Sequence, residues 1–510
     1  MTLADAPTTG PGRSVPLSDS TLHDLPGTVS VPGYDRAALV PSVVHIGVGG
    51  FHRAHQAVYL DELARRGHRD WGLVGVGMHS PQIGEVLQAQ DRLYTVVERG
   101  AEQESTRVVG VLTRYLLTAD DPGTVLDVLA DERTRLVTLT ITGTGYRIDP
   151  HSGEFDADDD AVRADLEHPE HPRTVFGLLT GALARRRDAG TGPFTVLSCD
   201  NMQHNGAAAR TAVLSFARLR DERLGDDLAG WIEENVTFPS SMVDRITPTT
   251  TPEERDAIAS STGVDDRWPV ITEPFTQWVV EDSFCAGRPP LEEVGVQFVD
   301  DVTPYETMKT RLLNASHCAL GYLGHLAGYR TIDELMADDV FREYLVRLMG
   351  EEIAPLLPPV PGIDLAEYQH ALVQRLSNPR MGDQLLRLCR RGSSKMPNYV
   401  LPSLRAALEQ HRPHQLLVLA VAGWMRFLRG YDYAGERFPV EGPMSERLVG
   451  LALEGDVEPE PLLSESTVFG TLSRDEHFVA SVEVALRALE EQGPREVIQL
   501  YLTLDEEGAA

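Results

Sequence analysis

The sequence predicts an α/β domain built on a parallel sheet, followed by an all-helical domain. Three observations carry this. Between about residues 40 and 300, short β-branched runs alternate with helical stretches, the pattern of βαβ units whose helices cover both faces of a parallel sheet. Beyond residue 300 the strand signals nearly vanish. At the change, Thr303-Pro304-Tyr305-Glu306 supplies an N-cap, a first-turn proline and a capping-box acid for a long helix. The resulting division is a loose arm over 1–40, rich in Pro, Gly, Ser and Thr, an α/β domain over 41–300 and a helical domain over 301–510.

Taken in order, VVHIGV (43–48) reads as the first buried strand, and the helical periodicity of 52–66 follows it. Further strands are expected at 72–76, 93–97, 136–142 and 194–199, with a helix over 174–187. After Glu306, apolar Met308, Leu312, Leu313, Ala319, Leu320 and Leu323 keep helical spacing up to Gly328, a plausible stop. Segments 341–357, 370–376, 383–391, 414–430 and 477–492 all read as helices.

The chain has 510 residues, 42% hydrophobic and 24% charged, an ordinary globular balance with enough length for a large core. Lys+Arg number 46 and Asp+Glu 77, a net charge of −31. That charge disfavours nucleic acid and anionic membrane surfaces as partners, since both demand a basic face. Four widely spaced cysteines, with no CxxC pair, suit reduced thiols in a cytoplasmic protein. MTLADAPTTGPGRS lacks the apolar core of a secretory signal, and the longest apolar run, 416–425, is too short to span a bilayer.

Three clusters could carry chemistry. In Gly47-Val48-Gly49-Gly50-Phe51-His52-Arg53, Gly47 permits a tight turn, Gly49 lets backbone approach a pyrophosphate, and the following helix offers N–H groups to it. The sixth fingerprint position is His52 where glycine is usual, and a ligand-free glycine turn is the alternative. At the end of the second strand, where an acid would hold the adenosine ribose, the sequence reads Val76-Gly77-Met78-His79-Ser80-Pro81-Gln82, with neither an acid nor an arginine. The second cluster, Ser198-Cys199-Asp200-Asn201-Met202-Gln203-His204-Asn205-Gly206, crowds polar groups at a strand's C-terminal end, where such sheets gather ligands; an Asx turn with a helix cap is its plain reading.

The third cluster is the helix from Thr303. Asn314 and His317 share a face. At about 100° per residue, Lys309 stands about 80° from His317 and about 140° from Asn314, so the side chains would have to converge beside the helix. A buried lysine has a lowered pKa and can act as a general base, and an asparagine amide can donate to a developing alkoxide. The plain readings are a snorkelling Lys309, a capping Asn314, a core His317 and a Glu306 confined to the capping box. His52 and His55 lack a third ligand nearby, so no metal is expected; no GxSxG elbow, Walker loop or HExxH motif is present.

Together these segments resemble the polyol-specific long-chain dehydrogenase/reductase family, in its mannitol dehydrogenase and fructuronate reductase group. The matching stretches are HIGVGGFHRAHQAVYLDEL (45–63), LTIT (139–142) with GY (145–146), SCDNMQHNG (198–206), MVDRITP (242–248), EPFTQWVVED (273–282), VQFVDDVTPYETMKTRLLNASH (296–317), VPGIDL (360–365) and GSSKMP (392–397). The resemblance implies a Rossmann-type N-terminal domain and a phosphogluconate-dehydrogenase-like helical domain, with the active site in the cleft between them. It implies a metal-independent reaction, D-mannitol to D-fructose by hydride transfer at C2, with NAD as cofactor and dual NAD and NADP use as an alternative. It also implies that the protein is a monomer. Alternative substrates within the group are fructuronate and polyols such as D-arabinitol or D-sorbitol. Carried over by motif, Lys309 would be the general base, Asn201 and Asn314 the oxyanion pair, His317 the substrate-orienting group and Glu306 part of the proton path. Asp244 and Arg387 would bind substrate hydroxyls, and Gly47, Gly49, Gly50, Phe51 and Arg53 would face the cofactor. Two departures stand out. Gly143 replaces the glutamate usual after LTIT, and Pro81 and Gln82 stand where close relatives tend to carry acids that favour NAD.

Overall fold

The computed structural model describes residues 14–149 and 152–508. The chain divides into two compact units between Val302 and Thr303.

The first unit is organised by a five-stranded, all-parallel sheet. Its strands are β1 (Pro41–Ile46), β2 (Gly72–Gly77), β3 (Leu112–Leu117), β4 (Leu136–Leu139) and β5 (Thr195–Ser198), in spatial order β3-β2-β1-β4-β5. Near-continuous β-branched runs dictate this, because a parallel strand is covered on both faces and has no solvent side for polar residues. Alternate side chains feed two cores. Val44, Ile46, Val74, Val76, Val137 and Leu139 pack with the Pro122–Ala130, Val175–Ala189 and Asn205–Leu224 helices. Val43, Leu73, Leu112 and Leu136 pack with Gln56–Arg65 and Gln82–Ala89. The order reverses between β1 and β4, and the loops after β1, β2 and β4 open at one edge, where such sheets take their ligands.

Three expectations need correction. Residues 93–97 do not join the parallel sheet. Tyr94–Arg99 forms a hairpin with Glu104–Val109 inside a separate four-stranded sheet, completed by Val270–Thr272 and Val29–Ser30. A four-residue connection can only turn the chain back antiparallel, whereas a parallel neighbour needs a crossover of a dozen residues or more. The expected strand over 136–142 stops at Leu139, because Thr142 leaves extended geometry with φ 65°. The arm is not loose from residue 14 onward. Val15–Pro16 pairs parallel to Val264–Asp265, and Leu17, Leu25 and Val29 bury against Leu93, Val108 and Val264. Composition hid those three anchors; residues 1–13 lie outside the described residues.

The second unit is helical. Every residue of the Gln415–Phe427 helix after Gln415 is buried, and the helix packs against Ala315–Leu326 and Glu476–Gln492. Gly423 allows the close crossing, since a Cβ there would sit 2.6 Å from a Leu323 methyl. The apolar run 416–425 is therefore the centre of a bundle. No described helix is long and apolar enough to cross a membrane.

Candidate active site

In the first unit, a cleft of about 890 Å³ opens at the C-terminal ends of the parallel strands. Gly47 and Gly49 line it after β1, Gly77 to Ser80 after β2, Tyr115 and Thr118 at the end of β3, and Thr140 and Ile141 after β4. Gly47 has φ +104°, and a Cβ there would lie 2.1 Å from the Thr140 carbonyl oxygen, so only glycine fits where the two strand ends meet. Gly49 has no side-chain neighbour within 4 Å of where its Cβ would be, which leaves its backbone open to close approach. None of the residues lining the cleft is Asp or Glu, while His79, Arg147, His171 and Arg173 are among them. These features fit a dinucleotide: a glycine turn for the pyrophosphate, apolar walls for the rings and no carboxylate to repel the anion.

Of the five residues expected to face a cofactor, Gly47 and Gly49 reach this cleft; Gly50, Phe51 and Arg53 do not line it. Gly50 starts the short helix that ends at Ala54. Phe51 packs on the second core and stacks on His55. Arg53 is buried, donates to the Trp268 carbonyl at 2.5 Å and lies over the Tyr94 ring. Beneath the turn, His45 bridges Thr138 and Thr140 and stacks on buried His52 at 3.3 Å. Desolvation holds His45 and His55 at about 3, so both are neutral at physiological pH.

The second cluster forms a clamp. Asp200, buried at the end of β5, accepts the Thr142 N–H at 2.7 Å, the Ile141 N–H at 3.1 Å and the Tyr146 hydroxyl at 2.7 Å. Thr142 sits at φ 65°, ψ 158°, a region essentially reserved for glycine, so the carboxylate holds a strained turn against the strand end that carries Asn201. Burial pushes the Asp200 carboxyl up, and its three donors offset only part of that rise. Asn205 works structurally: its amide donates to the Asp200 and Ser241 carbonyls and accepts the Ser241 N–H. Asp244 ends the buried strand Ser241–Asp244.

In the second unit the expected uninterrupted α-helix is corrected in one detail that matters. Thr303–Lys309 and Ala315–Leu326 are α-helical, but Thr310–Asn314 between them is a π turn. Residues five apart are the rungs of an i→i+5 ladder, as residues four apart are in an α-helix. Lys309 and Asn314, about 140° apart on a regular helix, thus come to one side. Glu306, Lys309 and Asn314 are all buried. His317 Nε2 is buried without a hydrogen-bond partner. Desolvation, then the nearby cations Arg387, Lys395, Lys309 and Arg375, hold His317 at about 3, so its ring is neutral and can accept as well as donate.

Arg387 is ion-paired with Asp383. Lys395, which the sequence reading passed over inside GSSKMP, belongs to the same cluster. Its ammonium donates to the Leu388 carbonyl at 2.7 Å, and burial lowers its pKa. A lone lysine near a helix start gives no sequence signal; only the fold puts it beside His317. The Tyr305 hydroxyl donates to the Pro361 carbonyl at 2.7 Å, tying the 360–365 stretch to this helix.

Known proteins match along nearly the whole chain. The mannitol dehydrogenase Rossmann domain matches residues 41–293 and the mannitol dehydrogenase C-terminal domain residues 301–490. A mannitol 2-dehydrogenase of Emericella nidulans is 43% identical over 486 residues, 93% of this chain and 96% of that protein. A mannitol dehydrogenase of Saccharomyces cerevisiae is 42% identical over 491 residues, 95% of this chain and 97% of that one. Among solved structures, the Pseudomonas fluorescens mannitol 2-dehydrogenase ternary complex with NAD and D-mannitol aligns with TM-score 0.87 and 43% identity, covering 96% of this chain and all of that one. A substrate-free D-sorbitol dehydrogenase aligns with TM-score 0.87 and 39% identity over 94% of this chain. With both of its units matched in order, the chain belongs to the mannitol dehydrogenase family.

Proposed function

We propose that the protein interconverts D-mannitol and D-fructose with NAD, without a metal. The observation that carries this is the likeness, along 96% of the chain, to a structure holding NAD and D-mannitol together. When bound in the cleft at the ends of β1, β2 and β4, NAD supplies acceptance of the C2 hydride. Lys309 takes the C2 hydroxyl proton, and the amides of Asn201 and Asn314 donate to the oxygen as it gains alkoxide character. The π turn supports this pairing, since it puts a base and an oxyanion donor on one side of one helix. Neutral His317 orients the reacting hydroxyl, Asp244 and Arg387 hold other substrate hydroxyls, and Glu306 links Lys309 to solvent. The four cysteines, all free, suit a cytoplasmic enzyme, and we take it to act as a monomer, which gel filtration with light scattering would check.

The test is NADH absorbance with D-fructose, fructuronate or no substrate, in chelator-treated buffer. Oxidation with D-fructose is the expected result. Oxidation with fructuronate alone, or loss of turnover on chelation, would overturn it. D-sorbitol, run in the oxidative direction beside D-mannitol, measures polyol preference.

A further inference from the structure

We propose that His45 is a positioning residue for cofactor binding: it completes a one-way hydrogen-bond relay, Thr138 to His45 to Thr140 to the Gly47 carbonyl, that sets the glycine turn for the pyrophosphate. This rests on the cleft being the cofactor site. The relay lies where the strand order reverses, between β1 and β4. His45 and Thr138 are register partners on those strands, and Thr140, two residues on, returns to the same face. The donors give each link its direction. The Thr140 hydroxyl has one proton, and it goes to the Gly47 carbonyl at 2.6 Å. Its oxygen therefore accepts from His45 Nε2 at 2.9 Å, a nitrogen that also lies 3.2 Å from the Gly47 oxygen. With the proton on Nε2 of a neutral ring, Nδ1 accepts the Thr138 hydroxyl at 2.7 Å. His52 stacks on this ring at 3.3 Å, tilted by 10°, and fixes its plane. Neither nitrogen of buried His52 has a hydrogen-bond partner among the described residues. What His52 supplies is a flat surface, at the fingerprint position where glycine usually lets helix and strand pack closely.

The relay matters because a carbonyl oxygen is the negative end of a dipole. Swung toward the pyrophosphate, it would repel the anion that the turn must bring close. The Gly47 oxygen is instead committed to protein donors: the Gly49 N–H at 2.7 Å, the Thr140 hydroxyl and His45. The Gly47 N–H in turn donates to the Val76 carbonyl at 2.9 Å, so this one residue is tied to the ends of both strands that flank β1. Thr140 lines the cleft. His45 and Thr138 do not line it and are at most 1% exposed, so an effect of either on binding passes through Thr140 and Gly47.

The test is calorimetric titration of the full chain and its variants with NADH, which reads binding independently of turnover. Thr140→Val keeps the side chain's shape, loses the hydroxyl and should raise the NADH Kd about tenfold; Thr140→Ser, which keeps the hydroxyl, should recover most of that loss. His45→Phe retains a ring for the stack and should also cost about tenfold. Thr138→Val should cost about threefold by itself and nothing further in His45→Phe, because its hydroxyl acts only through the imidazole. A plain packing role would instead make the Thr138 and His45 effects add, and would leave Thr140→Ser as weak as Thr140→Val. Either result overturns the proposal, as does an NADH Kd within about twofold of the native value in Thr138→Val and His45→Phe alike. Should His45→Phe fail to fold, Thr138→Val and the Thr140 pair decide. A native chain that binds no NADH would overturn the cofactor-site reading itself, whereas native binding that these variants do not disturb would remove only the relay.

Discussion

The Asp200 clamp makes a quantitative demand. Thr142 occupies a glycine-only region, which costs roughly 1–3 kcal/mol, and the two Asp200 oxygens hold it there. One accepts the Thr142 N–H; the other accepts the Ile141 N–H and the Tyr146 hydroxyl. Asp200→Asn must turn an NH2 group toward one of these donors, whichever way it flips. At about 1.5–3 kcal/mol for each hydrogen bond to a charged group, the turn should lose about 2–4 kcal/mol of local stability. Hydrogen exchange by mass spectrometry on a peptide spanning 140–147 reads that directly. The Ile141 and Thr142 amides should exchange some 30- to 1,000-fold faster by that arithmetic. Because the chain has two compact units, a local probe is preferable to a single global unfolding curve.

Thr142→Gly supplies the second arm. Relief of strain, less about 1 kcal/mol of glycine entropy, should leave the native background unchanged or more protected. In Asp200→Asn, where the turn has already relaxed, the same change should have no such benefit. Since Ile141 and Gly145 line the cleft, Asp200→Asn should also weaken NADH binding. Unchanged amide exchange in Asp200→Asn, or faster exchange in Thr142→Gly alone, would refute the reasoning.

Four further outcomes follow. Lys309→Ala should cut turnover by about 10²–10⁴ while the NADH Kd, measured by titration, stays put; undiminished turnover would remove Lys309 from its role. Gly47→Ala forces a Cβ to 2.1 Å from the Thr140 carbonyl and should abolish NADH binding in the same titration. His45, His55 and His317, held neutral to about 3, bind protons more readily when unfolded. Their contribution is therefore full above about pH 6.5 and is lost as pH falls toward 3, at up to about 1.4 kcal/mol per pH unit for each; unfolding midpoints that stay flat from pH 7 to 4.5 would contradict it. Gly143→Glu adds a side chain whose Cβ meets nothing nearer than the Met202 sulfur at 4.0 Å, so the melting temperature should hold and a change in the pH profile of turnover would report a role for that acid.

Much of this is legible in the sequence. Buried β-branched runs become strands, and a glycine turn after the first faces the edge where the sheet takes ligands, because strand period and backbone sterics are local properties of the residues. The switch to helix at Thr303 is equally local, since Pro304 suits a first helical turn and apolar residues then keep helical spacing. What the chain could not disclose was whatever depends on residues far apart in sequence. Tyr94–Arg99 joined another sheet because its partners are a hairpin and Val270–Thr272. Leu17, Leu25 and Val29 pinned down a stretch whose composition reads as loose. Thr142 is strained only because Asp200, 58 residues away, holds it. The π turn at Thr310–Asn314 has the same origin, since helical propensity alone favours an unbroken α-helix and only the packing of a buried segment can repay an extra residue in a turn. Sequence determined which groups could do chemistry; tertiary packing decided which of them share a face, a charge environment or a cleft.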